Sequence, residues 1–569
     1  MIKPTQFTAK QLCAVFDQLY SDTATMRNHF QEINDLICPS LSDVTQLSET
    51  PGRKKGLDLY TGVGQYCINK LSNAIHASLT SSSAQWFDMG LSSDELMDDK
   101  EISDWFGECS RIQFDYMLRS NFHNEITKTY RGMTGHGTAA LITEESIDPR
   151  LQRFDKLRYE TWSSREWVFV EGGDELPTMI MRKHRLTPAK AFEKWATHPR
   201  FRGLGESVQK AYDDFKKRYA ERHEFVEYFF KRTMYVEDNA RKMNWRHMPW
   251  GYGVISLKDK HKIIEGGYME QPVAVGRWLK NADDLGWGRS PAMDALPVIK
   301  TINEVRANGL GALGKDLNPP IVATYRGVVG QVRTHAGAII YKKRNSELDR
   351  LDSGARYDAY QMAMMELAQE AKEHFMIDMI EMQPNDSKTL GEFQVRHEQM
   401  MRLLGPTYGR ITYDVFNPVL TRSFNILLRN NKFPQMPGKL IELAMNPETQ
   451  DMVHLDVSYN GPLARSQRLG EVNAIHMAYQ DAAGIAELTG SRDPFDHLDM
   501  DKAMELSSEL RGVPSEVIRS ADDIEDIRQR RQEAEAQMMQ QEQDQADADL
   551  ENTQADTASK VVNIHGGVQ

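Results

Sequence analysis

The residues most suggestive of chemistry run from Gly309 to Asp316, Gly-Leu-Gly-Ala-Leu-Gly-Lys-Asp. The string satisfies GxGxxG and falls one residue short of the phosphate-binding GxxxxGK[ST]. Both motifs need a strand before the glycines and a helix after them, so that backbone N–H groups and a helix N-terminus face the phosphates. Here the preceding segment reads helical, Pro319-Pro320 forbids a following helix, and Asp316 stands where a hydroxyl would hold magnesium. The glycines read instead as small residues at a helix end that let neighbouring backbones approach. Gly288-Arg289-Ser290-Pro291-Ala292 resembles a nucleophile elbow but lacks its last glycine, and the proline removes an oxyanion-hole N–H. A helix cap is the better reading of Ser290. His397-Glu398 is followed by Met401, not by the second histidine of HExxH, so the zinc reading falls. His123 and His136 read as polar core or turn residues. No catalytic, cofactor-binding or metal-ligating set emerges, and the chain is expected not to be an enzyme.

The chain has 569 residues, 40% of them hydrophobic, which is enough to bury a core. No apolar run approaches the roughly 20 residues of a membrane helix, so no membrane partner is expected. Cys13, Cys38, Cys67 and Cys109 form no CxxC pair and read as reduced core thiols of an intracellular product. Net charge is −13, from 69 Lys+Arg against 82 Asp+Glu. Residues 522–551 hold eleven acids and three arginines. This is not the basic balance of a protein that grips duplex DNA by its phosphates. If DNA is a partner, it is guided more than held.

The elements that must position any site follow from periodicity. Residues 7–38, 58–79, 101–118 and 121–132 read helical, Gly135-His136-Gly137 breaks the pattern, and Thr138–Thr143 is a short strand. The region 157–280 is β-rich. It contains a hairpin of 167–170 with 178–182, and one helix at 188–198 with Thr187 as N-cap and Pro188 at N1. After Arg289 the chain is helical again. Ser290-Pro291 is a good start, and Pro297 either kinks the helix or begins it. That helix ends by Lys315, and a strand-rich insert spans 319–343. A second long helix runs over 355–381 until Pro384-Asn385-Asp386, with further helices at 389–404, 413–430 and 465–489. Residues 522–545 are helix-prone with a thin apolar seam, and 546–569 lack periodicity.

On a helical wheel Lys300, Glu304, Asn308, Gly311 and Lys315 form a narrow polar stripe, opposite Val298, Ile299, Ile302, Val305, Leu310 and Leu313. Glu366, Glu370 and Glu373 make an acidic stripe on the second helix. Such stripes are either solvated outer faces or, in many copies around an axis, stacked charged rings lining a pore. The Lys342-Lys343-Arg344 run is either a solvated turn or a docking surface.

Several short blocks together resemble the head–tail connector, or portal, proteins of short-tailed bacteriophages. They are Leu59-Tyr60-Thr61 with Trp86-Phe87, Asn121-Phe122-His123-Asn124-Glu125 leading to Gly137-Thr138-Ala139-Ala140, Arg277-Trp278, and Gly288-Arg289-Ser290-Pro291-Ala292 with Leu296-Pro297 and Ile299-Lys300-Thr301. Asn318-Pro319-Pro320, Gly337-Ala338-Ile339, Leu404-Gly405-Pro406, Arg422-Ser423-Phe424 and Phe433-Pro434 complete the set. The resemblance spans roughly residues 15–470. It implies an α+β portal fold: a wing over 1–290, stem helices at 291–316 and 351–381, a clip at 317–350, and a tunnel loop with more wing over 382–470. A crown-like helical region (471–520) and an acidic, Gln-rich helix and tail (521–569) would follow.

The resemblance further implies a dodecameric ring at one capsid vertex of the virion, assembled in the host cytoplasm. Double-stranded DNA would be packaged and ejected through it. The terminase large subunit, a tail adaptor, and the major capsid and scaffold proteins would be partners. On this reading Lys300, Glu304, Lys315, Glu366, Glu370 and Glu373 line the DNA channel. Asn385, Asp386 and Lys388 sit in the tunnel loop, and Lys342, Lys343 and Arg344 form the clip docking site. No cofactor is implied. Two other classes compete: an internal core or scaffold component of a capsid, which would form no ring with an axial channel, and a nucleic-acid-processing enzyme, which would turn over ATP or DNA.

Overall fold

The computed structural model describes residues 7–45, 52, 54–148, 153–232, 245–317, 356–380, 405–445, 455–459, 472, 474–485 and 498–511, apart from 98, 282 and 283, together with short strands between 321 and 350 and helical residues between 524 and 539. The chain forms two compact units, Met1–Leu463 and Ala464–Gln569. The first mixes helix and small antiparallel sheets, as the α+β expectation requires.

Helix α1 (Ala9–Asp22) opens on a capping box. Thr8 Oγ1 accepts from Gln11 N at 3.3 Å, and Thr8 N donates to Gln11 Oε1 at 2.9 Å. The single helix expected over 7–38 is two. The chain breaks at Thr23, and α2 (Ala24–Leu36) follows. Arg27 spans the break: its guanidinium lies over the Tyr20 ring and donates to the Tyr20 carbonyl at 2.7 Å. Then come α3 (Val63–Leu79), β1 (Phe87–Leu91), α4 (Asp94–Met97), α5 (Lys100–Arg119) and α6 (Phe122–His136). Helix α6 ends at Gly137, whose φ of 76° is the left-handed cap conformation that glycine adopts without strain.

Strands β2 (Thr138–Asp148), β3 (Arg153–Trp162) and β9 (Val273–Arg277) form one sheet in the order β3-β2-β9. Strands β4 (Trp167–Glu171), β5 (Pro177–Leu186), β6 (His223–Lys231), β7 (Trp250–Ser256) and β8 (His261–Tyr268) form a five-stranded meander. Successive strand residues face opposite sides. Trp167 and Phe169 therefore enter the main core, while Val168 joins Leu12 and Phe16 of α1 on the other face. Gly251 and Gly253 make room for the Phe230 and Tyr228 rings, which a Cβ at either position would meet at 2.3 Å. Three small helices, α7 (Pro188–Trp195), α8 (Glu206–Asp213) and α9 (Phe215–Ala220), form an excursion between β5 and β6.

Strands β10 (Leu279–Lys280) and β11 (Gly288–Arg289) lead into α10 (Pro291–Leu317). At 1.5 Å per residue its 27 residues extend about 40 Å. It starts at Pro291 and runs through Pro297. Antiparallel pairs β12 (Ile321–Ala323) with β15 (Leu348–Arg350), and β13 (Val328–Val329) with β14 (Tyr341–Lys342), follow. Helix α11 (Tyr357–His374) returns along α10 and stops earlier than its expected end at 381. Met376 takes φ 55° before α12 (Ile377–Ile380). Helices α13 (Asn417–Arg429), entered through a π-turn at Thr412–Phe416, and α14 (Gly438–Met445) precede β16 (Leu455–Tyr459). β16 pairs antiparallel with β1, Phe87 opposite Tyr459, so the late chain closes the early core. In the second unit the described residues include a helix over 474–485, α15 (Met500–Arg511) capped by the Asp499 side chain, and helical residues between 527 and 539.

Candidate functional site

The feature built with most care is the α10–α11 hairpin and the socket that holds its root. Ser290 Oγ donates to the Gly135 carbonyl at 2.8 Å and accepts from Met293 N at 3.1 Å, so it caps α10 while tying it to α6. Gly288 N donates to Thr138 Oγ1 at 2.7 Å, and Trp278 N to the Gly137 carbonyl at 2.9 Å. Gly137 and Gly288 press backbone to backbone: a Cβ on either would lie 2.1–2.2 Å from the other's carbonyl oxygen. The segments 137–140, 277–278 and 288–292, far apart in sequence, thus meet at one point. The elbow-like serine is fully buried, and its hydroxyl is committed to this cap.

Arg277, 1% exposed, clamps the socket. Its Nε and Nη2 donate to the two Asp414 carboxylate oxygens at 2.9 and 3.0 Å. Its Nη1 donates to Glu171 Oε1 at 2.5 Å, and Nη2 also reaches the Glu175 carbonyl at 2.8 Å. Lys280 joins Glu171 and Glu175 at 3.0 and 3.3 Å. Burial pushes the Asp414 carboxyl up, and the Arg277 guanidinium pulls it back only in part. Such a buried pair adds little over an apolar core but is costly to break from one side. Nearby His136 is buried. Nδ1 meets Ser164 Oγ and Nε2 meets Asn34 Oδ1, both at 2.7 Å, and the ring stacks on Phe30. Burial drops its pKa to about 3, so it is a neutral core residue, as its sequence context implied. His123 Nδ1 lies 3.4 Å from His76 Nε2.

Beyond the socket α10 leaves the core in stages. Ala292, Met293, Ala295, Leu296, Ile299 and Ile302 are buried, and Pro297 sits on the exposed side. Asn303 bridges to the loop before α3, accepting from Tyr60 N at 2.7 Å and donating to the Asp58 carbonyl at 2.9 Å. Lys300 pairs with Glu32 of α2 at 2.5 Å. On α11, Ala371, Phe375 and Ile377 below it are buried. Further out the two helices hold each other. The Tyr360 ring packs on Gly309, where a Cβ would come within 2.5 Å, and the Tyr357 hydroxyl donates to Asp316. Gly309, Gly311 and Gly314 therefore lie inside a continuous helix, which has no phosphate-cradling loop to offer.

Lys300, Glu304 and Lys315 are exposed along α10, and Glu366, Glu370 and Glu373 along α11. The distal apolar residues of α10 are not covered: Leu310 and Leu313 are exposed, and Leu317 is 78% exposed. Met362 and Met365 on α11 are each 72% exposed. Of the basic run beyond α10, Lys342 lies in β14 and Arg344 in an exposed turn, while Lys343 is outside the described residues. Asn385, Asp386 and Lys388 are also outside them, as is His397-Glu398. All four cysteines are buried and free. Among the described residues no cluster of three or more His, Cys, Asp or Glu could hold a metal ion, and no helix is long and apolar enough to cross a membrane.

Sequence reasoning missed the Arg277–Asp414 clamp and the Asn303 bridge. The Arg277-Trp278 block was the only hint of the first; nothing in the sequence signals the second.

The family model for the bacteriophage head to tail connecting protein matches residues 9–518. The probable portal protein of Bordetella phage BPP-1 is 21% identical over 574 aligned positions, covering 98% of this chain and 96% of that protein. The portal protein of Salmonella phage epsilon15 is 20% identical, covering 90% and 89%. Two solved assemblies, the virion of a native gene transfer agent particle and the neck of an empty one, contain chains with 12% identity. They match at TM-scores of 0.33 and 0.34, each covering 73% of this chain and 86% of that one.

Proposed function

The chain belongs to the bacteriophage head-to-tail connecting protein family, a structural family, and from that premise we propose that its copies close into a portal ring, of about twelve by family analogy, at one vertex of a phage capsid. Double-stranded DNA passes inward through the ring during packaging and outward during ejection. The observation that carries this reading is the family match across nearly the whole chain, 9–518. The exposed leucines and methionines at the free end of the hairpin support it, because apolar helix faces without cover inside one chain suit heterologous contacts that close by rotation.

In this reading 1–290 and 382–470 form the wing, 291–316 and 351–381 the stem, and 317–350 the clip. Residues 382–390, with Asn385, Asp386 and Lys388, make the tunnel loop. Residues 471–520 form a crown-like region and 521–569 an acidic tail. Lys300, Glu304, Lys315, Glu366, Glu370 and Glu373 contribute to the channel wall, where carboxylates repel phosphates on all sides and centre the duplex. Their reach is about 8–10 Å at physiological salt, so each ring acts locally. An acidic chain avoids the trap that counterion release would set in a basic tunnel. The clip turn at Lys342, Lys343 and Arg344 docks the terminase large subunit and the tail adaptor, and the wing meets the major capsid and scaffold proteins. The chain itself turns over no ATP; the motor is a separate subunit.

Native mass spectrometry and negative-stain images of the purified chain test the reading. A species near twelve subunits with an axial channel is expected, and a monodisperse monomer at micromolar concentration contradicts it. Charge reversal at Lys342, Lys343 and Arg344 should weaken capture of terminase and adaptor while rings still form; unchanged capture of both moves the docking site elsewhere.

A further inference from the structure

Helix α1 lies outside the main core. Its Leu12, Cys13 and Phe16 share a separate apolar cluster with Val168, Met181 and Val226, on the sheet face opposite Trp167 and Phe169. Among the described residues no hydrogen bond or ion pair joins residues 9–22 to that sheet. The contact is apolar, apart from the Lys183 ammonium 6.0 Å from the Tyr20 ring. The other three thiols, Cys38, Cys67 and Cys109, belong to the main core.

The join between α1 and α2 carries no helix breaker. Residues 9–36 contain neither proline nor glycine. Side chains fill the break instead. The Tyr20 carbonyl, which a continuous helix would give to Ala24 N, accepts from Arg27 Nη1 at 2.7 Å and from Thr23 Oγ1 at 3.3 Å. Arg27 Nη1 also donates to Thr23 Oγ1 at 2.7 Å. Arg27 is 4% exposed, and among the described residues it has no carboxylate partner and its Nε no acceptor. The last carbonyls of α1 favour a cation there, but a buried guanidinium without a counter-charge is costly to keep. Tertiary contacts, not local sequence, therefore hold the break, and the same residues can run on as one helix of about 42 Å.

We propose that Thr23 is a hinge and Arg27 its catch. In the closed state α1 straps the sheet face. In the open state α1 lifts away and residues 9–36 become one helix. The sheet face beneath and the Cys13 thiol are then uncovered while the main core stays folded. Opening of this kind is drawn from elements with few polar ties to the rest of a fold. The backbone exchange is nearly balanced, because the Tyr20 carbonyl passes from Arg27 to Ala24 N. The equilibrium therefore turns on the apolar cover of α1 and on the contacts of Arg27.

The test is labelling of the full-length protein with N-ethylmaleimide in native buffer, each cysteine being followed by peptide mass spectrometry. Cys13 should react at least about tenfold faster than Cys38, Cys67 and Cys109, whose protection in the same sample certifies the core. Its rate should rise with urea, less steeply than global unfolding does, because only part of the buried surface opens. Arg27→Met should speed Cys13 about tenfold and leave the other three thiols unchanged. Thr23→Ala against Thr23→Gly tests the hinge itself. Both lose the hydroxyl, but glycine disfavours a helix interior, so Cys13 should react about fivefold faster in the alanine variant. Cys13 reacting no faster than the core thiols overturns the proposal. So does a Cys13 rate indifferent to urea, an Arg27→Met variant as slow as wild type, or a glycine variant as fast as the alanine one.

Discussion

The two ends of the α10–α11 hairpin are built on opposite principles. At the root Ser290, Gly288, Gly137, Arg277 and Asp414 are buried or pressed together and interlock inside a single chain. At the free end Leu313, Leu317, Met362 and Met365 face water, and the helices touch mainly through Gly309–Tyr360 and Asp316–Tyr357. The root is therefore a problem of folding, which one copy solves. The free end is a problem of association. Mutations should separate the two: changes at the root alter unfolding, and changes at the tip alter assembly while leaving the fold alone.

The sharpest break in that comparison comes from Arg277. Arg277→Met leaves Asp414 buried without its cation and should cost about 3–5 kcal/mol in urea unfolding. Adding Asp414→Leu should recover part of the loss, because the orphaned charge goes with it. A single variant as stable as wild type would mean that the clamp is not what holds the socket.

At the tip, Leu313→Ser with Leu317→Ser should leave unfolding within about 0.5 kcal/mol of wild type, since both are solvated in the single chain. Ring assembly should weaken by roughly 2 kcal/mol or more per contact if these leucines are buried between copies. Native mass spectrometry then shows a shift toward monomer. Intact rings with altered unfolding would invert the comparison.

His136 gives the root a pH signature. Its folded pKa, near 3, lies below the ordinary 6.5, so the unfolded chain takes up the proton first. The stabilisation from the neutral buried ring is complete above about pH 6.5 and is lost progressively as pH falls toward 3. At pH 5 the loss from this group is about 2 kcal/mol. His136→Asn should flatten the difference in thermal midpoint between pH 7 and pH 5. An unchanged slope would assign the acid sensitivity to other groups.

The smallest effect belongs to the outer stripe. Glu366→Lys with Glu370→Lys changes charge on an exposed face and should leave stability within a few tenths of a kcal/mol. It should slow DNA passage through assembled rings, and the slowing should ease as salt rises. Packaging at the wild-type rate in low salt would remove these glutamates from the channel wall.

Local chemistry made much of this molecule legible beforehand. Ser290-Pro291 marks the start of α10, Pro188 the start of α7, and the 167–182 hairpin lies where its β-branched and aromatic runs put it. Each rests on interactions within a few residues, which composition and spacing encode directly. The same locality misled at Thr23, where an apolar stripe continues across a helix break, and at Met376, where α11 stops short of the next proline. In neither place does a proline or glycine mark the stop.

The apolar half of α10 shows the division most plainly. Ile299, Ile302, Leu313 and Leu317 look alike on a helical wheel, yet the first two are buried and the last two are exposed. Periodicity states which residues share a face; only the tertiary structure decides where along that face the core ends. The Arg277–Asp414 pair, 137 residues apart, belongs wholly to the second kind of information. A charge is stable when buried only if its counter-charge arrives by folding, and nothing local in the sequence specifies that arrival.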